Sequence, residues 1–194
     1  MKTTIIILFL AIVSWGAKAQ HNHSNHSHSK MESKVSAKTT KSSLEVKHSK
    51  SVTAILENYL ALKNALVSDN SKKAAGFAKS LNESFSKFDI SSQPKSQQNE
   101  LSEIIENANE QAEHISENSG NIEHQREHLE VLSADIKDLI AISGSDRNLY
   151  QTYCPMYNNG EGGMWLSESS EVNNPYYGSK MLKCGSVKQE ITIQ

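Results

Sequence analysis

The chain has 194 residues, two cysteines and a formal net charge of -2. This balance lacks the basic excess that nucleic-acid binding requires, so we expect no nucleic-acid partner. Two cysteines are too few for a dense disulfide scaffold. The sequence contains no nucleophile motif, no phosphate-binding glycine loop and no paired-carboxylate arrangement, so we do not expect an enzyme.

Residues 1–19 are predicted to form a secretory signal peptide. Lys2 precedes a short apolar block at residues 5–13, and Ala17 and Ala19 form the small-x-small pattern of a cleavage site, with the cut predicted after Ala19. The apolar block is too short to cross a bilayer, which takes about 20 residues. We therefore expect a soluble mature protein in the periplasm or outside the cell, with no membrane insertion after signal cleavage.

Residues 20–48 are predicted to form a disordered tail, because they are rich in His, Ser and Lys and contain almost no apolar side chain to bury. Four histidines lie close together in this tail, a bias typical of metal-binding segments. We interpret them as a weak site for Cu(II), Ni(II) or Zn(II), and a solvated leader without metal explains the composition equally well. These histidines are His21, His23, His26 and His28.

Residues 49–145 contain four amphipathic patterns in which apolar residues recur at steps of three and four positions. Ser71 is the predicted cap of the second helix. Helices of this length, joined by short links, predict an antiparallel up-and-down four-helix bundle. The four patterns extend over about 51–67, over 71–89, from soon after Pro94 to Gly120, and from there to about Ser143.

Residues 146–194 are predicted to form a loop-rich cap in the same domain as the bundle. Two segments, 149–156 and 163–167, alternate in a way that suits short strands, and turn residues lie between them. Pro175 and Gly178 interrupt the segment that follows. The predicted fold class is therefore all-α: a four-helix bundle with a C-terminal cap that is irregular or a short β-hairpin.

The cap contains both cysteines and three of the five methionines. Cys154 and Met156 are two positions apart, so in a strand they point to one face, and Met181 and Cys184 are three apart. If the two pairs converge, they form a four-sulfur site, and thiolate with thioether ligands selects Cu(I) or Ag(I). The alternative is a disulfide between the two cysteines, which is common in an oxidising compartment. The spacing leaves both interpretations open.

Two histidines of the fourth predicted helix form a second candidate site. His124 and His128 are four positions apart, a spacing that lets two imidazoles reach one ion. They lie on the flank of the apolar face, where a solvated surface is the default interpretation. His48 and His114 stand alone in their segments, so we expect them to be ordinary surface histidines.

Five short motifs follow one another in the second half of the chain. They are QREHLEVLS (125–133), YCPM (153–156), WLS (165–167), NPYYG (174–178) and MLKCG (181–185). With these motifs the chain, from about residue 48 to residue 192, resembles the domain-of-unknown-function 3347 family of secreted Bacteroidetes proteins. The family also occurs fused to periplasmic adaptors of heavy-metal efflux pumps. The resemblance thus implies copper handling, with a metal ion and a heavy-metal efflux adaptor as partners.

On this resemblance, the four sulfur residues match the family's Cys-Pro-Met and Met-Leu-x-Cys-Gly motifs, and the histidine pair falls in its Gln-Arg block. We therefore expect an exported protein that binds Cu(I) or Ag(I) for copper handling or efflux. The alternative is a structural or partner-binding module with a Cys154–Cys184 disulfide, associated with an efflux system or an envelope protein. The residues assigned to the metal are Cys154, Met156, Met181, Cys184, His124 and His128.

Overall fold

The computed structural model describes residues 42–194, which form four α-helices and one four-stranded sheet. The helices are α1 (Thr53–Val67), α2 (Ser71–Ser86), α3 (Lys95–Glu117) and α4 (Ile122–Ser143). The strands are β1 (Ser42–Val46), β2 (Leu149–Cys154), β3 (Gly163–Ser167) and β4 (Ser186–Ile193). Short 3-10 turns lie at Ile90–Ser92, Asn158–Gly160 and Gly178–Lys180.

Asparagine side chains cap two of the helices, Asn70 at α2 and Asn121 at α4. Asn70 caps α2 by accepting a hydrogen bond of 2.9 Å from the backbone amide of Lys73. The predicted cap, Ser71, is instead the first helical residue, and its hydroxyl accepts from the amide of Gly120 at 2.7 Å. The start of α2 is thereby tied to the turn between α3 and α4. The α2 helix ends before Asp89, whose carboxylate accepts from the backbone of the next 3-10 turn.

Consecutive helices pack against each other, and the α3–α4 pair is antiparallel. Gln111 bonds to His128, while the carbonyl of Ile115 accepts from Gln125, so the positions ascend in α3 as they descend in α4. The buried face of each helix is mostly apolar, and each buried Leu, Ile or Phe side chain stabilises the fold by roughly 1.5–3 kcal/mol. No helix within residues 42–194 is long and apolar enough to cross a membrane. Buried members of this core are Ile55, Leu56, Leu66, Leu81, Leu101, Ile115, Leu129, Leu132 and Ile136.

The predicted all-α fold class, a four-helix bundle with an irregular or short β-hairpin cap, is wrong. The described chain is α/β, because four strands form a mixed sheet in the order β1-β4-β2-β3. The two predicted strands exist as β2 and β3, which pair antiparallel. On its other side β2 pairs antiparallel with β4, and β4 pairs parallel with β1. Three of the four strands, β2, β3 and β4, therefore lie in the region predicted as a cap.

Two strands, β1 and β4, were missed. β1 lies within the predicted disordered tail at 20–48, so the part of that prediction that concerns Ser42–Val46 is wrong. This segment pairs with the last strand of the chain, and Val46 is buried. Its backbone groups find their partners at the opposite end of the sequence, which compensates for its few apolar side chains. The predicted signal peptide, the remainder of the tail and its histidines His21, His23, His26 and His28 lie outside the described residues.

One buried tyrosine connects the helices to the sheet. The hydroxyl of Tyr59, on α1, shares a 2.8 Å hydrogen bond with Ser133 of α4 and accepts one of 3.0 Å from the backbone amide of Leu166 in β3. Burial raises the pKa of Tyr59 to about 12, so the phenol stays protonated. Helix α4 thus packs on the sheet through one side and against α3 through another.

Candidate metal centre

Three histidines from two neighbouring helices meet where α3 packs against α4. His114 lies near the end of α3, and His124 and His128 lie in the first two turns of α4. One ligand atom from each ring lies within 4.8 Å of the others, and each residue is partly buried. We call these three residues the histidine cluster. The cluster is close enough for all three rings to hold a single ion.

Hydrogen bonds direct one nitrogen of His124 toward one nitrogen of His128. His128 Nδ1 bonds to Gln111 Oε1 at 2.7 Å, and His124 Nδ1 bonds to Glu127 Oε2 at 3.0 Å. Both partner atoms are acceptors, which favours the tautomer with the proton on Nδ1 in each ring. An acceptor behind the imidazole is also the usual outer-shell arrangement of metal-binding histidines. A ring in this tautomer binds a metal through Nε2, and the ion displaces the proton that the two Nε2 atoms share across their hydrogen bond.

The separation between the two Nε2 atoms, 3.1 Å, suits a shared ion. An imidazole nitrogen lies about 2.0–2.1 Å from Zn(II), so two nitrogens at this separation subtend an angle of about 98° at the ion. That angle lies between the right angle of square-planar coordination and the tetrahedral angle. The two rings are nearly perpendicular, with an interplanar angle of 86°.

His114 has a different orientation. Its ring stacks on that of His128 with an interplanar angle of 3° and a centroid distance of 4.6 Å. The lone pair of an imidazole nitrogen lies in the ring plane, so two stacked rings direct their lone pairs along parallel planes and not toward one point. His114 must therefore turn out of the stack to become a third ligand. Its Nε2 is 3.9 Å from Glu110 Oε1 in the stacked position.

The electrostatic surroundings keep His128 neutral. Burial lowers the pKa of His128, the neighbouring rings of His114 and His124 lower it further, and Glu127 and Glu110 act in the opposite direction. A neutral imidazole is the protonation state that binds metal. The ring with the strongest hydrogen-bond support is therefore also in the required charge state near neutral pH.

Cys154 and Cys184 also lie side by side, at the end of β2 and just before β4. Cys154 is buried, Cys184 is partly buried, and their Sγ atoms are 2.9 Å apart. Two thiolates at about 2.3 Å from a tetrahedral ion would be about 3.8 Å apart, so these sulfurs must separate before they can share one. Contact with Cys154, followed by burial, raises the pKa of Cys184 to about 11. Cys184 is therefore held as a thiol and not as a thiolate.

The two methionines predicted as ligands differ in their surroundings. Met156 is 56% exposed, and its carbonyl accepts a hydrogen bond from the Tyr177 hydroxyl. Met181 is half-buried, and its carbonyl accepts from the amide of Cys184 at 3.1 Å in a turn. The sulfur residues thus belong to the sheet and its connecting loop, whereas the predicted histidines contact α3. Within residues 42–194, no side-chain hydrogen bond or ring contact joins the two groups.

Sequence reasoning missed His114 as a member of the cluster, and it also missed the two residues that orient the other rings, Gln111 and Glu127. A signal for His114 was present, since His114 and His128 are equally far in sequence from Asn121. In an antiparallel helix pair whose turn is centred near Asn121, His114 and His128 lie opposite each other. Spacing within one helix could not show it, because the contact crosses between helices.

The fold and the cluster define an α/β protein in which a helical segment presents three neighbouring histidines. Residues 55–148 match the family model described as "Protein of unknown function (DUF3347)", so the chain contains a DUF3347 family domain at these residues. The match includes all three histidines and ends before Cys154, so the four sulfur residues lie outside it. Searches of curated proteins and of solved structures give no significant match.

Proposed function

We propose that this protein is an exported metal-binding protein whose principal site is the histidine cluster. The observation that supports the proposal is the pair of Nε2 atoms of His124 and His128, 3.1 Å apart, with each Nδ1 held by an acceptor. Imidazoles suit Cu, Zn and Ni ions, and Cu(II) has the highest affinity of the divalent series for such ligands. Copper is therefore the ion that we propose, and zinc is its main competitor.

Each residue of the site has a defined part in this proposal. His124 and His128 bind first, through Nε2. Gln111 and Glu127 hold the two tautomers, and the carboxylate of Glu127 adds negative charge close to the cation. His114 then leaves its stack and supplies a third nitrogen. A three-nitrogen site at a helix surface keeps a coordination position open, which suits capture and transfer of an ion to a partner.

The proposed physiological role is copper handling in the periplasm, with delivery to a heavy-metal efflux adaptor as its outcome. It is supported by the cleavable leader expected from the sequence and by the family resemblance. The partial exposure of the cluster is compatible with transfer, since the side chains of His114 and His124 are 45% and 37% exposed. The histidines of the tail would add weak capture of ions.

A second candidate function is a structural or partner-binding module with a Cys154–Cys184 disulfide. The contact between the two Sγ atoms at 2.9 Å favours it, because a disulfide of about 2.05 Å requires the sulfurs to approach, whereas Cu(I) or Ag(I) binding requires them to separate. A Cu(I) site formed by Cys154, Met156, Met181 and Cys184 is accordingly the weaker proposal. It needs reduced thiols that lose their protons to the metal.

A competition titration tests the principal proposal. The mature protein, with its four tail histidines replaced by alanine, is titrated against a chromophoric chelator. The oxidised protein is titrated with Cu(II) and with Zn(II), and the reduced protein with Zn(II), because free thiols reduce Cu(II). We expect one tightly bound ion per chain in either redox state, because the cluster contains no sulfur. Binding that appears only after reduction would instead assign the ion to the cysteines and contradict the proposal.

A further inference from the structure

A cavity of about 330 Å³ lies between α4 and the loops that follow β2 and precede β4. Its walls include three tyrosines, Tyr157, Tyr176 and Tyr177, and two carboxylates of α4, Glu123 and Glu127. A volume of this size is at the lower end of the range for ligand pockets. It fits a short aliphatic group and not a nucleotide or another large ligand.

The tyrosine rings form a corner of fixed geometry. Tyr157 stacks on the buried Tyr176 with a centroid distance of 4.1 Å, and it meets Tyr177 at an interplanar angle of 81°. The Tyr177 hydroxyl donates to the carbonyl of Met156, which holds that ring in place. Aromatic faces attract cations, and a corner of two rings presents this attraction from two directions.

The charges around the cavity leave one carboxylate without a Lys or Arg partner within residues 42–194. Arg126 is neutralised by Asp69, at 2.6 Å, and donates its other hydrogen bonds to backbone carbonyls. Lys180 lies 3.8 Å from Glu123. Within residues 42–194, the one ion-pair partner that Glu127 has is the imidazole of His124, which is a cation only when protonated. The cavity therefore combines aromatic faces with one carboxylate that has no Lys or Arg partner within these residues.

We propose that this cavity binds an alkylammonium group, with Glu127 as the counter-ion and with Tyr157 and Tyr177 around the aliphatic chain and the charge. A lysine side chain and a free primary amine offer this same chemistry. Asn158 and Asn159 also line the cavity, and their amides can bond to the backbone of a peptide that carries the lysine. This proposal stands without any assumption about metal binding.

Glu127 belongs to both sites, and this sharing couples them. The same carboxylate lines the cavity and accepts the hydrogen bond from His124 Nδ1 at 3.0 Å. An ammonium group that pairs with Glu127 withdraws the acceptor that fixes the His124 tautomer, so the metal site becomes weaker. By linkage, a bound metal must weaken ammonium binding by the same factor. This consequence, unlike the ammonium site itself, rests on the proposed metal function.

The ammonium site is tested on the metal-free, full-length mature protein. Butylammonium chloride is titrated into the protein and followed by NMR, with butanol as the uncharged control. We expect saturable shifts at Tyr157 and Tyr177 for butylammonium alone, and an affinity about tenfold lower in Glu127→Gln, because a hydrogen bond to a charged group is lost. Glu83→Gln, an exposed position of α2, makes the same charge change and should leave the affinity unaltered. Equal binding of butanol, or an unchanged affinity in Glu127→Gln, would overturn the proposal.

Two further titrations define the ligand and the coupling. Acetyl-Gly-Lys-Gly-amide should bind more tightly than butylammonium if the site receives a lysine of a protein partner, and no more tightly if it receives a free amine. With butylammonium at saturation, the Cu(II) affinity of the wild type should fall, and that of Glu127→Gln should not. If saturating butylammonium leaves the Cu(II) affinity of the wild type unchanged, Glu127 does not couple the two sites. If Cu(II) does not bind at all, the proposed function fails, and the metal-free titration still decides the ammonium site.

Discussion

The two Nε2 atoms of the histidine cluster are 3.1 Å apart and the two Sγ atoms of the cysteines are 2.9 Å apart, yet the two groups differ in what they can bind. Nitrogen–metal bonds are about 2.0–2.1 Å long and sulfur–metal bonds about 2.3 Å, so the nitrogens have room for an ion between them and the sulfurs do not. The two groups also differ in protonation. In both imidazoles an acceptor at Nδ1 favours the tautomer that binds a metal through Nε2, whereas contact with Cys154 and burial keep the Cys184 thiol protonated.

A short distance between donor atoms therefore identifies a metal site only when it is compared with the bond length and the protonation state of those atoms. In this protein the histidine cluster satisfies both conditions for two of its rings. The cysteines satisfy the conditions for a covalent bond to each other. The sequence offered the sulfurs as the more conspicuous feature, and the structure favours the nitrogens.

The largest effect should follow from loss of both principal ligands. His124→Ala with His128→Ala removes the two convergent Nε2 atoms, so we expect the affinity for Cu(II) to fall by more than the roughly 10- to 100-fold that loss of an outer-shell partner costs. Competition titration against a chelator measures the change. His48→Ala, in a segment away from the cluster, is the matched control and should bind as the wild type does. If the double variant binds Cu(II) as tightly as the wild type does, the histidine cluster is not the metal site.

The cysteines should affect stability and not metal binding. Oxidation of Cys154 and Cys184 closes a loop that spans 30 positions, which stabilises the folded state by roughly 3 to 4 kcal/mol in the chain-entropy model. Urea denaturation of the oxidised wild type should thus show this advantage over Cys154→Ser, Cys184→Ser. The serine variant should retain the Cu(II) affinity of the wild type. If the serine variant loses as much Cu(II) affinity as the histidine variant does, the cysteines and not the histidines bind the ion.

A smaller effect is expected at the residue that orients His128. Gln111→Ala removes the acceptor from His128 Nδ1 and should lower the Cu(II) affinity roughly tenfold. Gln111→Glu supplies an acceptor at the same place and should restore binding, which separates a role in orientation from general damage to α3. If Gln111→Ala binds as tightly as the wild type, the tautomer of His128 does not depend on this bond.

The smallest effect concerns Asp69, which accepts a hydrogen bond from Ser179 in the loop between the cysteines. This effect depends on pH. Hydrogen bonds from Ser179 and the nearby Arg126 lower the pKa of Asp69 to about 2, so its interactions stabilise the fold above its ordinary pKa of about 4 and are lost as the pH falls toward 2. Asp69→Asn should cost about 1 kcal/mol or less at pH 7, because the pair is partly exposed, and should flatten the acid dependence of unfolding. Urea denaturation at pH 7 and pH 3 measures it. If the free energy of unfolding of Asp69→Asn falls as steeply with acid as that of the wild type, Asp69 does not contribute to the acid dependence.

The helices could be predicted because their apolar periodicity is local, and α1 and α4 end where the pattern ends. The end of α2 could not, since Asp89 starts a separate turn. β1 and β4 depend on pairing between the two ends of the described chain, which no local pattern reveals. For the site, the spacing of His124 and His128 was visible in one helix. The third ring, His114, depends on how α3 packs against α4.

Absorption spectroscopy with Co(II) as the probe ion tests the central claim most directly, because thiolate ligands give an intense charge-transfer band in the near ultraviolet and imidazole ligands do not. The reduced protein, with its tail histidines replaced, offers nitrogen and sulfur to the ion at the same time. We predict visible bands of a nitrogen-bound ion that vanish in His124→Ala, His128→Ala and persist in Cys154→Ser, Cys184→Ser. A thiolate charge-transfer band that vanishes in the serine variant would contradict the assignment of the ion to the histidine cluster.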